Sequence, residues 1–112
     1  MVSEIERLAE ELGKAIAAAP QVAKLREAQK ALDGEEGTTQ LLTDYQQQAD
    51  KVAQLEADQK PIEPEDKRKL QDLHDALVAS ETFKKYTMAQ VDYVDLMRTV
   101  NDKIRQSLGD VG

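Results

Sequence analysis

The sequence predicts an all-α protein of about five helices, and three observations support this fold class. Apolar residues recur at steps of three and four along almost the whole chain, which is the spacing of helices that bury one face. Most of the prolines and glycines lie between these periodic stretches, where they end one helix or begin the next. Aromatic residues make up 4% of the 112 residues and charged residues 33%. Such a chain is expected to form one domain over residues 1–112, with a small aliphatic core.

The first helix is predicted to begin at a capping box formed by Ser3 and Glu6. In such a box the two side chains accept hydrogen bonds from free amides of the first turn. The apolar positions of this helix that share one face are Ile5, Leu8, Leu12, Ala15 or Ile16, and Ala19. Pro20 disfavours helical backbone at the residue before it, so a second helix is expected to start with Pro20 in its first turn.

The second helix is expected to end in the segment 33–37, because its two glycines adopt left-handed backbone without a steric cost. Thr38 or Thr39 is then expected to cap a third helix, which runs to about Lys60. The outer face of this third helix carries the glutamines 46–48, which are expected to be solvated.

A stiff connector with two prolines, residues 61–64, separates the third helix from the fourth. Pro64 suits the first turn of a helix, and Glu65 and Asp66 place carboxylates near the positive end of the helix dipole. Leucines at three- and four-residue steps are expected to line the buried face of this fourth helix, namely Leu70, Leu73 and Leu77.

The last helix is predicted to run unbroken from Ser80 to about Leu108, where Gly109 ends it. At ~1.5 Å per residue this helix is about 40 Å long, which exceeds the size of a small compact domain. Six of its residues form a heptad seam that we predict to serve as core and partner interface. They are Phe83, Tyr86, Tyr93, Met97, Val100 and Ile104. A second chain is expected to cover the exposed end of the seam, in at least a homodimer.

Two helix–break–helix joints repeat 61 positions apart, with breaks at Pro20 in the first copy and at Ser80 in the second. The identical pairs are Leu12 and Leu73, Ala15 and Ala76, Ala18 and Ala79, Lys24 and Lys85, Ala28 and Ala89, and Gln29 and Gln90. Each joint leaves an apolar stripe on both arms, which favours assembly with further helices. Two origins of the repeat stay open, a duplication or a helical pattern that arose twice.

Composition argues against several functions. A net charge of -7 repels phosphate backbones, so nucleic acid is not the expected partner. The chain has no cysteine, which excludes disulfides, thiolate metal sites and a cysteine nucleophile within it. Its first residues lack the basic and apolar regions of a secretory signal. No stretch approaches the ~20 apolar residues of a membrane span, and we expect a cytoplasmic protein without membrane attachment.

Few residues offer catalytic or metal chemistry. His74 is the single histidine, flanked by Asp72 and Asp75. Residues one and two apart on a helix do not face each other, so this spacing is poor for a metal site. A solvated or packed histidine is therefore the favoured interpretation, and a metal or small-molecule site centred on His74 is the third-ranked hypothesis. We expect no catalytic residue, no metal ligand and no enzymatic activity.

The strongest basic clusters are Lys67, Arg68 and Lys69, followed by Lys84 and Lys85. Consecutive residues on a helix point in different directions, and no aromatic side chain lies among the first three for base stacking. A solvated helix surface is the favoured interpretation. The alternative is an RNA-associated factor that uses these five side chains as a local basic patch.

Several segments resemble the YlbF/YmcA family of small bacterial helical regulators. Residues 8–28 are similar to the opening of that family, and residues 41–46 to its middle helix. The resemblance is clearest in the last helix, at Phe83 to Tyr86, Ala89 to Val91, Leu96 and Met97, Val100 and Asn101, and Ile104. It covers nearly the whole chain and includes no catalytic signature.

The resemblance implies an all-α fold, self-association and a non-enzymatic role with other regulatory proteins. The family's regulators affect competence, sporulation, biofilm formation and mRNA processing. Iron–sulfur clusters attributed to the family's complex are bound through cysteines, which this chain lacks, so we expect no cofactor. The sequence thus predicts a cytoplasmic regulatory or scaffolding protein that acts through helix-mediated protein–protein interaction.

Overall fold

The computed structural model describes residues 2–109, and five α-helices account for most of this range. They are α1 (Val2–Ala17), α2 (Pro20–Asp33), α3 (Glu36–Ala57), α4 (Pro64–Ala79) and α5 (Glu81–Leu108). The described residues include no β-strand. The predicted all-α fold with five helices, two joints and a long last helix is confirmed.

The breaks between helices fall where the sequence placed them. Pro20 opens α2 and Pro64 opens α4, because proline suits the first turn of a helix, where an amide has no partner to lose. Ser80 separates α4 from α5 and caps α5, since its Oγ accepts a hydrogen bond from the amide of Phe83 at 3.2 Å. Gly109 follows α5 with a φ of 65°, the left-handed backbone that commonly ends helices.

Two predicted caps are wrong. Val2 already lies in α1, so Ser3 belongs to the first turn and cannot precede it as the cap of a capping box. Helix α3 begins at Glu36, and the residue before it makes no side-chain cap hydrogen bond. Thr38 is buried within the first turn of α3. Thr39 donates from its hydroxyl to the carbonyl of Glu36 at 2.9 Å, the back-bonding typical of threonine inside a helix.

The expected left-handed glycines between α2 and α3 are also wrong. Gly37 lies inside α3, and among the described glycines positive φ occurs at Gly109. The chain leaves α2 through a turn in which the amides of Gly34 and Glu35 donate to carbonyls of the last helical turn, each at 3.1 Å. These two hydrogen bonds satisfy the end of the helix without left-handed backbone.

Left-handed backbone occurs instead where α3 ends, at Gln59 with a φ of 57°. The amide of Lys60 donates to the carbonyl of Leu55 at 2.9 Å, and that of Gln59 donates to Glu56 at 3.1 Å. This pair of bonds is the Schellman motif, which usually has glycine at the left-handed position. A glutamine there retains a steric cost that glycine would avoid.

The chain divides into two compact units. One comprises Lys30–Lys85 and the other the described residues on either side of it, and each unit is described by itself below. The expectation of one domain over residues 1–112 stays a prediction.

The unit Lys30–Lys85 is organised around an antiparallel pair of helices, α3 and α4. Tyr45 on α3 lies against His74 near the end of α4, with ring centroids 6.3 Å apart. Further along α3, Gln48 reaches back to Asp66 near the start of α4, where its Nε2 donates to the backbone carbonyl at 2.9 Å. Leu77 is among the most buried apolar residues of this unit.

Gln48 corrects the predicted solvation of residues 46–48. Gln46 and Gln47 are exposed as expected, but Gln48 is only 4% exposed. A buried amide must find a hydrogen-bond partner, and Gln48 finds the carbonyl of Asp66. The sequence shows that all three glutamines are polar, but it does not show that the side chain of Gln48 contacts α4.

The carboxylate of Asp66 adds a second link between α3 and α4. It accepts a salt bridge from the Nζ of Lys51 at 3.0 Å, and the Asp66 side chain is largely covered whereas that of Lys51 is exposed. The hydrogen bond from Lys51 lowers the pKa of Asp66 below its ordinary value, and Gln48 contributes in the same direction. Asp66 therefore stays ionised at neutral pH and joins the two helices through both its backbone and its side chain.

Candidate interaction surface

The other unit holds α1, the start of α2 and most of α5. Its buried apolar residues are Val22 on α2 and Ala89 on α5. Both are small or medium in size, so this unit has little core of its own. Large apolar side chains are exposed on α1 and α5 instead.

On α1, three apolar residues form an uncovered row that we call the α1 stripe: Ile5, Leu8 and Leu12. They are 71%, 50% and 38% exposed. Their steps of three and four residues place them on one helix face, and charged residues such as Glu10 and Lys14 occupy the opposite face. An exposed apolar row that is separated from charged residues on the opposite face of its helix is typical of a surface that binds another helix.

One flank of the α1 stripe is acidic. Arg7 donates to Glu4 at 2.9 Å and to Glu11 at 2.8 Å, and all three side chains are largely exposed. The hydrogen bond that Arg7 donates to Glu4 raises the pKa of Arg7 above its already high value, so the guanidinium stays charged. The two carboxylates lie one heptad apart and leave this flank with a net negative charge.

The six seam residues predicted on α5 differ in how far the chain covers them. Tyr86, Tyr93, Met97 and Val100 are half-buried in their own unit, and Phe83, which belongs to the unit Lys30–Lys85, is half-buried as well. Ile104 is exposed. Five of the six therefore already have partial cover, and their role in binding a partner stays a prediction.

The sequence predicted that the apolar stripes on both arms of each joint favour assembly, but it did not single out the α1 stripe, or the apolar residues of α5 outside the seam, as a partner interface. The strongly exposed apolar residues of α5 are Met88, Val91, Val94, Ile104 and Leu108. A usable signal for α1 was the arrangement of Ile5, Leu8 and Leu12 opposite a face rich in charged residues. Periodicity alone could not show that no other helix would cover these residues.

Between the start of α2 and the middle of α5 lies an open groove of about 520 Å³. It is lined by Pro20, Gln21, Lys24, Asp92, Asp95, Leu96 and Thr99. The lining includes two carboxylates and one ammonium group, and the groove is wide open to solvent. Small-molecule sites usually enclose most of the ligand surface, so this shallow groove does not resemble a built small-molecule site.

The basic residues Lys67, Arg68 and Lys69 are all exposed on α4, as are Lys84 and Lys85 on α5. Lys84 lies 3.4 Å from a carboxylate oxygen of its own helix. Three successive positions on a helix point about 100° apart and do not form one continuous patch. Contact of these residues with nucleic acid stays a prediction.

His74 is half exposed, and its Nδ1 lies 3.6 Å from the Asp75 carboxylate. Its ring also contacts Tyr45, so its packing agrees with the interpretation as a solvated or packed histidine. Across residues 2–109, no cluster of three or more histidine or carboxylate side chains has a geometry that could hold a metal ion. A metal or small-molecule site centred on His74 stays a prediction.

Comparisons with known proteins agree with the fold. The family model described as "Control of competence regulator ComK, YlbF/YmcA" matches residues 5–109. A UPF0342 protein of Desulfitobacterium hafniense (strain Y51) is 24% identical over 110 residues, which span 98% of this chain and 84% of the relative.

Among solved structures, the chain is similar to one in the crystal structure of Bacillus subtilis RicA in complex with RicF. The TM-score is 0.82 at 14% identity, over 93% of this chain and 92% of the other. None of the helices in the described range is sufficiently long and apolar to cross a membrane.

Proposed function

Because the chain belongs to the YlbF/YmcA family, we propose that it is a non-enzymatic regulatory or scaffolding protein that binds other proteins through helix-on-helix contacts. The main support is the α1 stripe, whose three large aliphatic side chains are exposed together. Full burial of one such side chain stabilises by roughly 1.5–3 kcal/mol. Because the three are 71%, 50% and 38% exposed, a partner that covers all of them gains less than twice that amount, before the cost of association.

The length of α1 also supports a partner. The helix has 16 residues, close to the ~12–15 residues below which isolated helices are marginal in water. Most helices of this length are stabilised by packing of their apolar face. Contacts between α1 and another protein would therefore stabilise the helix and also contribute to the affinity of the complex.

We infer further that the protein acts in the cytoplasm and associates with itself, at least as a dimer, as well as with other regulatory proteins. The family description, control of competence, supports a regulatory pathway of that kind. Sporulation, biofilm formation and mRNA processing are the other processes in which we propose a role. The similar solved structure is that of a complex between RicA and RicF, which supports protein partners for this chain.

Affinity capture from the native cell, followed by mass spectrometry, tests this proposal with one matched pair of variants. Leu8→Gln removes an apolar contact from the α1 stripe, whereas Lys14→Gln places the same residue on the opposite face of α1. We expect Leu8→Gln to lose captured proteins and Lys14→Gln to retain them. Equal capture by both variants and the wild type would contradict a role for the stripe.

RNA association is the competing function, and it is favoured by the exposure of Lys67, Arg68, Lys69, Lys84 and Lys85. Binding of this kind depends steeply on salt, because each phosphate contact releases a counterion. RNA that is retained at low salt and lost when these five residues are changed to Glu would support it. Absence of retained RNA at low salt would eliminate it.

A further inference from the structure

We propose that the α1 stripe docks in parallel against the C-terminal half of α5 of a second copy of this chain, with Ile5 level with Val94. This inference rests on the proposed self-association and specifies its contact and register. It follows from three features of the two helices, namely their exposed apolar rows, the charges beside those rows, and the lengths available to pair.

The C-terminal half of α5 carries an apolar row of its own. Val94, Ile104 and Leu108 are 47%, 45% and 48% exposed. Val94, Asn101 and Leu108 repeat at seven-residue steps, and Met97 and Ile104 form the second position of the same heptad. We call these five residues the α5 row; their pattern is that of a coiled-coil face.

Charges flank the two rows on opposite sides. Glu4 and Glu11 precede the stripe positions of α1 and lie one heptad apart. Arg98 and Arg105 follow the α5 row, also one heptad apart, and both are exposed. In a parallel pair of helices, the residue just before an apolar position on one helix faces a residue just after an apolar position on the other helix. Parallel docking therefore places both glutamates opposite both arginines. These contacts would replace exposed ion pairs within each helix, namely those of Glu4 and Glu11 with Arg7 and that of Arg98 with Asp95.

The same charges argue against self-pairing of either helix in antiparallel orientation. In an antiparallel pair of identical helices, the residues just before the apolar positions of one copy face the same residues of the other copy. The residues just after the apolar positions also face their own counterparts. Two α1 helices would place Glu4 and Glu11 opposite carboxylates, and two α5 helices would place Arg98 and Arg105 opposite guanidinium groups. Like charges that meet in an interface disfavour the wrong partner.

The register defined by the charges also matches the side chains. Ile5 meets Val94 and Leu8 meets Met97, so these two layers each join two apolar residues. Leu12 meets Asn101, a mixed layer in which the exposed asparagine lowers the stability of the seam. Helix α1 ends at Ala17, which lies level with residue 106, so both helices end within two residues of each other.

A second copy is the occupant because one chain leaves both surfaces uncovered. The α1 stripe and the exposed members of the α5 row belong to the same unit, yet they remain solvent-accessible there. A two-fold symmetric dimer would pair α1 of each chain with α5 of the other. Such an interface is self-complementary and covers both stripes in one step.

Charge reversal with mixing provides a stringent test. The variant Glu4→Lys/Glu11→Lys and the variant Arg98→Glu/Arg105→Glu each place like charges in both contacts of their own homodimer. We expect each to dimerise at least about tenfold more weakly than the wild type, because like-charge juxtaposition disfavours association.

An equimolar mixture of the two variants restores attraction in both contacts of the heterodimer. We therefore expect the mixture to recover dimer mass by sedimentation even though neither variant dimerises well alone. Recovery also shows that both variants remain folded. A mixture that stays as weak as its components would overturn the proposal.

A cysteine cross-link tests the register, since the chain has no cysteine of its own. Under oxidation, Ile5→Cys/Val94→Cys is expected to give a covalent dimer on a denaturing gel, because the two sites share a layer. Ile5→Cys/Asn101→Cys, displaced by one heptad, is the control and is expected to stay largely uncross-linked. Equal cross-linking of both variants, or a disulfide confined to one chain, would overturn the proposal.

The same experiments separate this inference from the proposed function. A wild-type dimer that is insensitive to charge reversal and gives no Ile5–Val94 cross-link leaves self-association intact and refutes the α1–α5 contact. A wild-type protein that is monomeric at every concentration removes the proposed self-association itself.

Discussion

Helices α4 and α1 occupy equivalent places in the internal repeat, but only α4 is well covered. Leu77 on α4 is 3% exposed, whereas Ile16, its counterpart 61 positions earlier, is half-buried. Leu73 is likewise more covered than Leu12. The two helices share a sequence pattern, so their own periodicity does not explain the difference.

The difference arises from the helix that precedes α4. A six-residue connector between α3 and α4 lets α4 turn back onto α3, where Gln48 and Lys51 bind Asp66. In the described part of the chain, α1 has no neighbour that covers it in the same way. One amphipathic pattern therefore gives a core helix where a neighbour is present and an interaction surface where it is not.

The largest expected effect is the truncation of a core leucine of α4. Leu77→Ala should lower the free energy of unfolding by about 2–5 kcal/mol, because the cavity cannot be filled by its neighbours. The equivalent Ile16→Ala should cost less than half as much, since Ile16 is only half-buried. Urea unfolding of both variants measures the difference. Equal losses would show that the two helices are covered to the same extent.

Removal of the buried amide between α3 and α4 should have the next largest effect. Gln48→Ala removes a buried hydrogen bond to the Asp66 carbonyl and leaves space between the helices, which should cost about 1–3 kcal/mol. Gln47→Ala changes an exposed neighbour on the same helix and should alter stability by less than about 0.5 kcal/mol. Thermal unfolding compares the two, and similar melting temperatures would argue against a structural role for Gln48.

The ion pair between Lys51 and Asp66 should make stability depend on pH. Because the pKa of Asp66 is lowered in the folded state, its contribution is present above the unfolded value of about 3.9 and is lost as pH falls through the folded pKa. Urea unfolding from about pH 2 to about pH 7 should show this acid loss. Lys51→Met should flatten the profile, and Lys51→Arg should preserve it. An identical profile for Lys51→Met would contradict the ion pair.

The smallest expected effect concerns the left-handed residue that ends α3. Gln59→Gly should stabilise the protein by roughly 0.5–1 kcal/mol, because glycine adopts positive φ without a Cβ clash. Gln46→Gly, inside α3, should instead destabilise by about 1 kcal/mol through lost helix propensity. Opposite shifts in the midpoint of urea unfolding are expected. A loss of stability in both variants would contradict left-handed backbone at Gln59.

Several local signals predicted helix boundaries correctly, whereas the caps at Ser3 and at Thr38 or Thr39 and the left-handed glycines of the segment 33–37 were wrong. Pro20, Pro64 and Ser80 act on their own backbone, so each marks its helix boundary without knowledge of the rest of the structure. Gly109 ends α5 for the same local reason. The YlbF/YmcA resemblance was also recognisable, because it consists of such boundaries and a helical pattern.

Features that depend on a neighbouring helix could not be predicted. Gln48 is buried because α4 presents a carbonyl to it, and the sequence near Gln48 contains no trace of that contact. Recognition of the α1 stripe as the exposed one of the predicted apolar stripes likewise required the observation that it lacks cover. Gln59 is a different case, since hydrogen bonds at the end of its own helix require left-handed backbone there and no glycine marks the position in the sequence.

The mass of the purified protein as a function of concentration tests the central claim most directly, namely that a second chain covers α1. Sedimentation equilibrium should give a mass that rises from the 12.5 kDa of one chain to twice that value, and Leu8→Gln should shift this rise to higher concentration. A single-chain mass at every concentration, unaffected by Leu8→Gln, would contradict the account.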